Sequence, residues 1–424
     1  MGFTVLRVVQ IAALRGFGAL ALLLMTFVVA RTLDVSDSGK FLYLLSAVLV
    51  LSPILVFGTN LTSLRRIAVL DAAGSTAEIN GVIVSGFLLL LAGWVALALS
   101  LALISPFVDA DALPALHWVI GSVPAVLLVS LAMSVTVLAA HQLQGLGQPT
   151  HSVIALSIAS PVIFSIVMVL APARFADTDS ALGLLVLSSA AALLYALAFL
   201  FGHLTPERPH IVGFRPFLGA CLPIWIVAIS TAVTNWGAQL VAPLHLEPAT
   251  IALLGVSQRV AMSVSLILIA VNLIISPKIA QLHSAGRVDE LQSLVSRAVG
   301  GITVLSLPAI LVICVFPRPL LSHFGPEYVD AAPYLIVFGL TQFINVVTGP
   351  SVQLLTMSGF ESVVMRIAVT SSVLTILSAL VLIPWIGPIG VPVAAGIGIV
   401  SQNVSAALVA RRLTSINVFK VALR

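Results

Sequence analysis

The sequence predicts an all-α polytopic membrane protein with about 12 transmembrane helices in two pseudo-symmetric six-helix lobes around a central cavity. Three observations predict this class: an apolar composition, long apolar runs, and a repeat at half the chain's length. Hydrophobic residues make up 60% of the 424 residues, charged residues only 8%, and the mean hydropathy is +1.19. Soluble domains carry about 25% charged residues, so a chain this apolar is expected to lie in a bilayer.

The apolar runs are long enough to cross a membrane, which takes about 20 residues per helix. We place the helices at approximately 8–32, 41–64, 81–105, 116–140, 151–171, 181–203, 217–243, 250–276, 296–316, 330–348, 362–384 and 388–410. The first run is too long for a signal-peptide core and is expected to remain as the first span. Prolines inside spans predict kinks, because neighbouring helices can satisfy the freed carbonyl groups.

Basic residues orient these spans. With the N-terminus inside, the cytoplasmic segments carry Arg7, Arg65, Arg66, Arg208, Arg215, Lys278, Arg287, Arg297, Arg366, Arg411, Arg412, Lys420 and Arg424, whereas the outer side carries Arg31, Lys40, Arg174 and Arg318. The positive-inside rule therefore predicts that both termini are cytoplasmic. The two longest connections, 65–80 and 277–295, are expected to be cytoplasmic loops.

A repeat relates the two halves of the chain. Residues 71–81 read DAAGSTAEING, and residues 283–293, which lie 212 positions later, read HSAGRVDELQS. At the same offset Ala73, Gly74 and Glu78 recur as Ala285, Gly286 and Glu290, Gly147 recurs as Gly359, and Pro172 recurs as Pro384. We predict an N-terminal lobe at 1–212 and a C-terminal lobe at 213–424. Because six helices return the chain to the same side, parallel lobes with a cleft between them and alternating access by rocking are expected.

Several other kinds of site are disfavoured by the sequence. The net charge of +4 forms no basic face, so nucleic acid is not an expected partner. Cys221 and Cys314 lie in apolar stretches without metal-ligand spacing, and no metal or cofactor is expected. The acidic pairs Asp109 with Asp111 and Asp177 with Asp179 lie in short outer loops, which is typical of solvated charges and not of a catalytic acid pair.

Four stretches resemble the polysaccharide-transport (Wzx-type) flippases of the multidrug/oligosaccharidyl-lipid/polysaccharide exporter superfamily. They are ARTLDVSDSGKFLYLLSAV, ISPKIAQLHSAGRVDELQSLVSRAV, LLSHFGPEYVDAAPYLIVFG and GPIGVPVAAGIGIVSQNVSAAL. The resemblance implies translocation of an undecaprenyl-diphosphate-linked oligosaccharide, such as an O-antigen or other polysaccharide precursor, across a bacterial inner membrane. It also implies membrane lipids and other polysaccharide-assembly membrane proteins as partners, and a non-enzymatic role.

Charges inside spans point to a binding site, because each costs about 2.5–3.5 kcal/mol at a helix centre. Arg15 lies in the first span and Arg259 in the eighth, and neither span contains a central carboxylate. One interpretation is that both side chains snorkel to the interface. The favoured one is that both face the cavity and bind the diphosphate, whose oxygens suit a planar guanidinium; the resemblance also implies cationic residues on these two helices in the cavity.

The seventh span carries a polar stripe. Thr231, Asn235 and Gln239 follow at i, i+4 and i+8, with Trp236 beside them. Such a stripe stabilises helix packing in some proteins, at about 0.6 kcal/mol per hydrogen bond, and contacts sugars beside an aromatic platform in others. The sequence alone leaves both interpretations of Asn235, Trp236 and Gln239 open.

Two other functions compete with the flippase. A multidrug or cation antiporter of the same superfamily is expected to carry a carboxylate in the middle of a span, and none is present. A membrane oligosaccharide polymerase or ligase is expected to carry a large outer loop with catalytic residues, whereas every outer connection here is short. The flippase therefore remains the favoured interpretation.

Overall fold

The computed structural model describes residues 2–104, 117–204, 207 and 213–420. The first half contains α1 (Gly2–Thr32), α2 (Val35–Val56), α3 (Thr59–Ala73), α4 (Thr76–Ile104), α5 (His117–Gly121), α6 (Val123–Gly145), α7 (Pro149–Val153), α8 (Ala159–Leu170) and α9 (Thr178–Phe201). The predicted outer-loop residues Asp109 and Asp111, and the predicted inner cations Arg208 and Arg424, lie outside the described residues.

The second half contains α10 (Phe214–Val241), α11 (Pro248–Met262), α12 (Leu266–Ser284), α13 (Val288–Val315), α14 (Pro317–Ser322), α15 (Ala332–Thr348), α16 (Pro350–Met357), α17 (Glu361–Ile386) and α18 (Gly390–Thr414). Eleven stretches of the described chain are long and apolar enough to cross a membrane, and the last, Glu361–Thr414, contains both α17 and α18. No strand occurs in the described ranges. The predicted all-α polytopic class is confirmed.

The chain divides into two compact units. The N unit comprises Phe17–Ala232, and the C unit comprises Met1–Gly16 together with Val233–Arg424. The lobe boundary at residues 212 and 213 stays a prediction. The candidate site residues Arg15, Asn235, Trp236, Gln239 and Arg259 all belong to the C unit.

The predicted second span, 41–64, is not one continuous helix, so this prediction is wrong. The α2 helix ends at Val56, and Phe57 and Gly58 adopt left-handed backbone angles (φ of 51° and 68°) before α3 begins. At this break the indole of Trp225 donates to the Ile54 carbonyl at 3.0 Å, and its ring packs against Phe57 in a tilted arrangement, with the ring centres 4.5 Å apart. At this break the backbone of α10 lies against Gly58, close to the Cys221 carbonyl and the Trp225 amide nitrogen, and a side chain at this position would clash with it.

Two helix starts on the predicted outer side, those of α2 and α9, are capped by aspartates. The Asp34 carboxylate accepts the backbone N–H of Asp37 at 2.7 Å, and α2 consequently begins at Val35, six residues before the predicted start. Asp177 caps α9 in the same way through the N–H of Ser180 at 2.9 Å. Aspartate is favoured here because its carboxylate satisfies an N–H group that has no partner within the helix.

The two predicted cytoplasmic loops are helical hairpins, so the expectation of long loops at 65–80 and 277–295 is wrong. The α3 helix continues to Ala73 and α4 starts at Thr76, while α12 continues to Ser284 and α13 starts at Val288. Gly74 and Gly286 make the turns, with φ of 71° and 65°. A left-handed residue ends a helix at little cost only when it is glycine, which explains the repeated glycine.

Equivalent cores support the two hairpins. In the N unit a buried cluster contains Ile67, Ile79, Ile83 and Leu143, and in the C unit a buried cluster contains Ile279, Leu291, Val295 and Leu355. Each residue of the second set lies 212 positions after its counterpart in the first. The repeat at these hairpins is therefore a repeat of buried packing positions and not only of surface turns.

Two other predicted spans change helix type along their length. The span predicted at 250–276 consists of α11, a 3-10 turn at Ser263–Ser265, and α12. The span predicted at 151–171 contains a π-helical segment, Ile154–Ile158, between α7 and α8. A Cβ on Gly18 of α1 would lie 2.5 Å from the Ser157 Cβ, so α1 approaches this segment closely where it has no side chain.

Candidate functional site

Arg259 is buried within the C unit. It is the twelfth residue of α11, which places it about 16 Å from the start of the helix at 1.5 Å per residue. Its exposed fraction is 4%. In the candidate membrane span Pro248–Asn272, Arg259 lies 11 residues after the first residue and 13 before the last, which places it near the middle of the span.

The side chain of Trp236 lies under this cation. The guanidinium carbon of Arg259 is 5.1 Å from the centre of the Trp236 ring, and its Nη1 donates to the Gly255 carbonyl at 3.2 Å. A cation over a desolvated indole gains about 2 kcal/mol or more, and a hydrogen bond from a charged donor adds about 1.5–3 kcal/mol. Together these interactions offset the insertion cost of about 2.5–3.5 kcal/mol for a charge at this depth.

The polar stripe of α10 contacts the same part of α11. The side-chain amide of Gln258 donates to the backbone carbonyl of Asn235 at 2.6 Å. Gln258 precedes Arg259 and Asn235 precedes Trp236 in the sequence, so this hydrogen bond links α11 to α10 next to the cation and the ring. Gln239 is 2% exposed and lies one helical turn after Asn235. The structure thus brings Asn235 and Trp236 to Arg259, and it places Gln239 on the adjoining turn of α10.

Arg15 occupies a different environment. It lies on α1 and is half-buried, with the open position of Gly16 next to it. Gly16 has no atom within 4 Å of an added Cβ, whereas Gly18 one half-turn later is tightly packed. Arg15 therefore stands where the close packing of α1 begins, and its assignment to the substrate site stays a prediction.

A polar network in the C unit was missed by the sequence analysis. Ser265 donates to Gln342 Oε1 at 2.6 Å, Asn345 donates to the same oxygen at 3.0 Å, and Asn403 donates to Asn345 Oδ1 at 3.0 Å. Amides inside the spans, at positions 342, 345 and 403, were the available signal. Because each of these amides bonds to another protein group, the network fixes α15 and α18 against the 3-10 turn after α11.

The residues set aside in the sequence remain outside this site. Asp177 and Asp179 are exposed, and Asp177 acts as the cap of α9. Cys221 is buried and Cys314 is half-buried, and both are free thiols. Over the described part of the chain, no group of three or more His, Cys, Asp or Glu side chains is placed to hold a metal ion.

Comparison with known proteins identifies the fold. The MatE family model matches residues 224–381, which include α11 and the 3-10 turn that follows it. No curated protein sequence matches the chain. The family match therefore covers the part of the C unit in which Arg259 lies.

Solved structures are similar over nearly the whole chain. An inward-facing multidrug resistance MATE family transporter of the MOP superfamily has a TM-score of 0.75 at 15% identity, covering 95% of this chain and 98% of that one. The lipid II flippase MurJ in an inward closed conformation has a TM-score of 0.74 at 12% identity, covering 95% and 87%. A MOP superfamily transporter from Pyrococcus furiosus, described as having a binding pocket of reverse polarity, has a TM-score of 0.65 at 14% identity, covering 96% and 95%.

These similarities define the class of protein. The chain is a polytopic membrane protein with the fold of the MATE transporters and of MurJ. The predicted superfamily is thereby supported, while the finer Wzx-type resemblance stays a prediction. At 12–15% identity, the solved structures define the fold and leave the transported molecule to be inferred from the chain's own residues.

Proposed function

We propose that this protein is a flippase that translocates an undecaprenyl-diphosphate-linked oligosaccharide across a bacterial inner membrane by alternating access. Polyprenyl diphosphate, the lipid carrier, is the proposed ligand of Arg15 and Arg259, and the attached sugars are the proposed ligand of Asn235, Trp236 and Gln239. Both termini are proposed to be cytoplasmic. Membrane lipids and other polysaccharide-assembly membrane proteins are the proposed partners.

The observation that carries this proposal is the buried cation on the Trp236 ring. Arg259 keeps its charge at any physiological pH, and neither α10 nor α11 contains an acidic residue in its sequence. A fixed positive charge in the middle of a span attracts anions and repels cations. The planar guanidinium matches the oxygens of a diphosphate, which favours a diphosphate-linked substrate over a cationic drug.

Substrate access requires a change around Arg259. At 4% exposure the guanidinium is covered by neighbouring side chains, so an anion reaches it only after those neighbours move. Trp236 and Gly255 hold the cation in the covered state and would release it towards an entering diphosphate. A charge that changes partners during the cycle is consistent with alternating access, in which one site is exposed and covered in turn.

The second candidate function is export of a multidrug substrate, favoured by the similarity to MATE transporters. Proton- or cation-coupled export of a cationic drug requires a group that exchanges a positive charge for the substrate, usually a carboxylate within a span. The described acidic residues lie in the first or last turn of their helices, in 3-10 turns or in connections, as at Asp37, Asp71, Glu78 and Glu361. This distribution favours the flippase.

Flipping in proteoliposomes tests the proposal. The purified protein is reconstituted with a fluorescent polyprenyl-diphosphate-linked sugar, and the outer label is destroyed with a membrane-impermeant reductant. With the wild type, we expect labelled lipid from the inner leaflet to reach the outer leaflet, so that the reductant destroys nearly all of the fluorescence. We expect Arg259→Gln to slow this flipping by at least about tenfold, since a charge-assisted hydrogen bond contributes about 1.5–3 kcal/mol. Arg366→Gln, which removes an exposed arginine of α17, is the matched control.

The outcomes separate the candidates. Equal flipping by Arg259→Gln and Arg366→Gln would contradict the diphosphate assignment. A parallel assay measures the export of a cationic dye by the same proteoliposomes under a proton or sodium gradient. Dye export without lipid flipping would establish the multidrug alternative, and cleavage or transfer of the sugar would favour the polymerase or ligase.

A further inference from the structure

The hairpin of α12 and α13 contains a cleft that has no part in the Arg259 site. It has a volume of about 280 Å³ and is lined by Lys278 and Gln281 from α12 and by Glu290, Ser293 and Arg297 from α13. Liquid water occupies about 30 Å³ per molecule, so the cleft has room for a headgroup larger than a single ion. The entire cleft lies within the C unit.

Two cations give the cleft its charge. Lys278 lies six residues before the end of α12 and Arg297 nine residues after the start of α13, which places them about 9 and 14 Å along their helices from the hairpin turn. Both side chains are exposed. Glu290 is bonded to Arg287 on the turn, which offsets its negative charge. The cleft is therefore positive in sum.

Exposed apolar residues lie about one turn beyond Lys278 and about two turns beyond Arg297. Ile274, four residues before Lys278, is 51% exposed, and Val304, seven residues after Arg297, is 57% exposed. Between Arg297 and Val304 lies Gly301, where an added Cβ meets no atom within 4 Å. Residues at i, i+4 and i+7 share a helix face, so an open apolar track leads from the charged cleft into the span.

We propose that this cleft binds the phosphate headgroup of an acidic membrane lipid. Lys278 and Arg297 contact the phosphate, Gln281 and Ser293 donate hydrogen bonds to it, and an acyl or prenyl chain lies along Ile274 and Val304. A soluble phosphate compound would use the cations and leave the apolar track uncovered, whereas a lipid uses both. The same headgroup chemistry is carried by bulk acidic phospholipid and by polyprenyl phosphate.

Native mass spectrometry of the delipidated full-length protein in detergent tests this site. The probes are phosphatidylglycerol, undecaprenyl phosphate and, as a zwitterionic reference, phosphatidylcholine, each added at the same concentration. The test variant is Lys278→Gln with Arg297→Gln. The control is Arg411→Gln with Arg412→Gln, which removes the same charge from exposed positions in the last turn of α18.

We expect the test variant to lose affinity for an acidic lipid by roughly fivefold for each cation removed, while the control retains it. Loss confined to phosphatidylglycerol identifies bulk phospholipid as the ligand, and loss confined to undecaprenyl phosphate identifies the carrier. Equal losses in the two double variants, or wild-type binding of phosphatidylcholine as tight as of either acidic lipid, would overturn the proposal. The variant Arg259→Gln separates this proposal from the proposed flippase function, because Arg259 does not line the cleft. This variant is expected to bind acidic lipid at the cleft as the wild type does, even if flipping is lost.

Discussion

Gly398 and Thr375 meet so closely that a β-carbon on Gly398 would overlap the Thr375 hydroxyl and lie 3.1 Å from its Cβ. Thr375 is fully buried, and its hydroxyl donates to the Ser371 carbonyl at 2.9 Å. The Ser371 carbonyl would lie 3.3 Å from the same added carbon. The absence of a side chain at Gly398 therefore sets the separation of α17 and α18.

Gly398→Ala is expected to destabilise the protein by about 1–3 kcal/mol, because the added methyl group overpacks a contact with little freedom to relax. The matched control is Gly301→Ala on α13, where the added carbon meets open space and helix propensity favours alanine by up to about 1 kcal/mol. Thermal unfolding in detergent measures both changes. Equal melting temperatures for the two variants would show that α17 and α18 can shift apart to accommodate the methyl group without loss of stability.

Gly58→Ala is expected to be more damaging than Gly398→Ala. Gly58 has a φ of 68°, and an added carbon would overlap the Cys221 carbonyl and lie 3.0 Å from the Trp225 amide nitrogen. These neighbours are backbone atoms that cannot rotate away, and the left-handed conformation adds about 1–2 kcal/mol. Gly74→Ala is the control: Gly74 also has a positive φ, but an added β-carbon there meets no atom within 4 Å. Its loss of stability therefore measures the cost of the left-handed backbone alone. Similar unfolding temperatures for both variants would contradict the close approach.

Replacement of Arg15 tests the second cation of the proposed flippase. Arg15→Lys keeps the charge and loses the planar fork, so flipping is expected to fall several-fold, and Arg15→Gln is expected to cost more. Arg31→Gln, at the exposed end of the same helix, is the control. Flipping is measured at matched amounts of reconstituted protein. Near-normal flipping by the double variant Arg15→Gln, Arg259→Gln would remove both residues from the site.

The sidedness of the hairpins follows from the distribution of basic residues. Ser284→Cys is predicted to react with an impermeant maleimide from the cytoplasmic side, and Ala173→Cys from the opposite side, since both positions are exposed. The unmodified protein reports background from Cys221 and Cys314. Reaction of both introduced cysteines from the same side would contradict the topology.

Asp177 gives the cap of α9 a pH dependence. The backbone N–H and then the hydroxyl of Ser180 donate to its carboxylate, at 2.9 and 3.0 Å, and these bonds lower the pKa of Asp177 below its usual value. A lowered folded-state pKa means that the stabilisation is complete above the ordinary aspartate pKa and is lost as the pH falls through the folded-state value.

The variant Asp177→Asn keeps a capping oxygen and removes the titration. The wild type is therefore expected to melt above the variant near neutral pH, and the difference is expected to shrink between about pH 5 and about pH 2. Melting temperatures of both proteins across this interval provide the measurement. A difference that stays constant over the interval would show that the ionised carboxylate adds nothing to the cap.

The membrane class and most helix positions could be predicted from the sequence, because apolar runs and basic flanks report directly on the bilayer. The hairpins at Gly74 and Gly286 could not, since their helices extend beyond the apolar run into segments with charged residues. Hydropathy records the medium around a segment, whereas helix length there depends on capping and on tertiary packing. The breaks at Phe57 and at Ser263–Ser265 were hidden for the same reason.

The candidate site was predictable in its parts but not in its contacts. The sequence marks Arg259 and Trp236 as unusual residues of two separate spans, and no spacing rule states that one ring lies under the other cation. The network of Gln342, Asn345 and Asn403 was not predicted, because an amide in an apolar helix can be assigned a partner only once the packing of α15 against α18 is known.

The π-helical segment at Ile154–Ile158 changes the phase of the fifth span. Pro149 and Glu361, the first residues of α7 and α17, lie 212 positions apart, so the two corresponding spans begin in register. One residue accommodated in a wide turn rotates everything after it by about 100° relative to an uninterrupted α-helix. Side chains of α8 therefore point in directions that their counterparts in α17 do not share. Beyond the π-helical segment, two residues that lie 212 positions apart in these spans therefore need not contact equivalent neighbours.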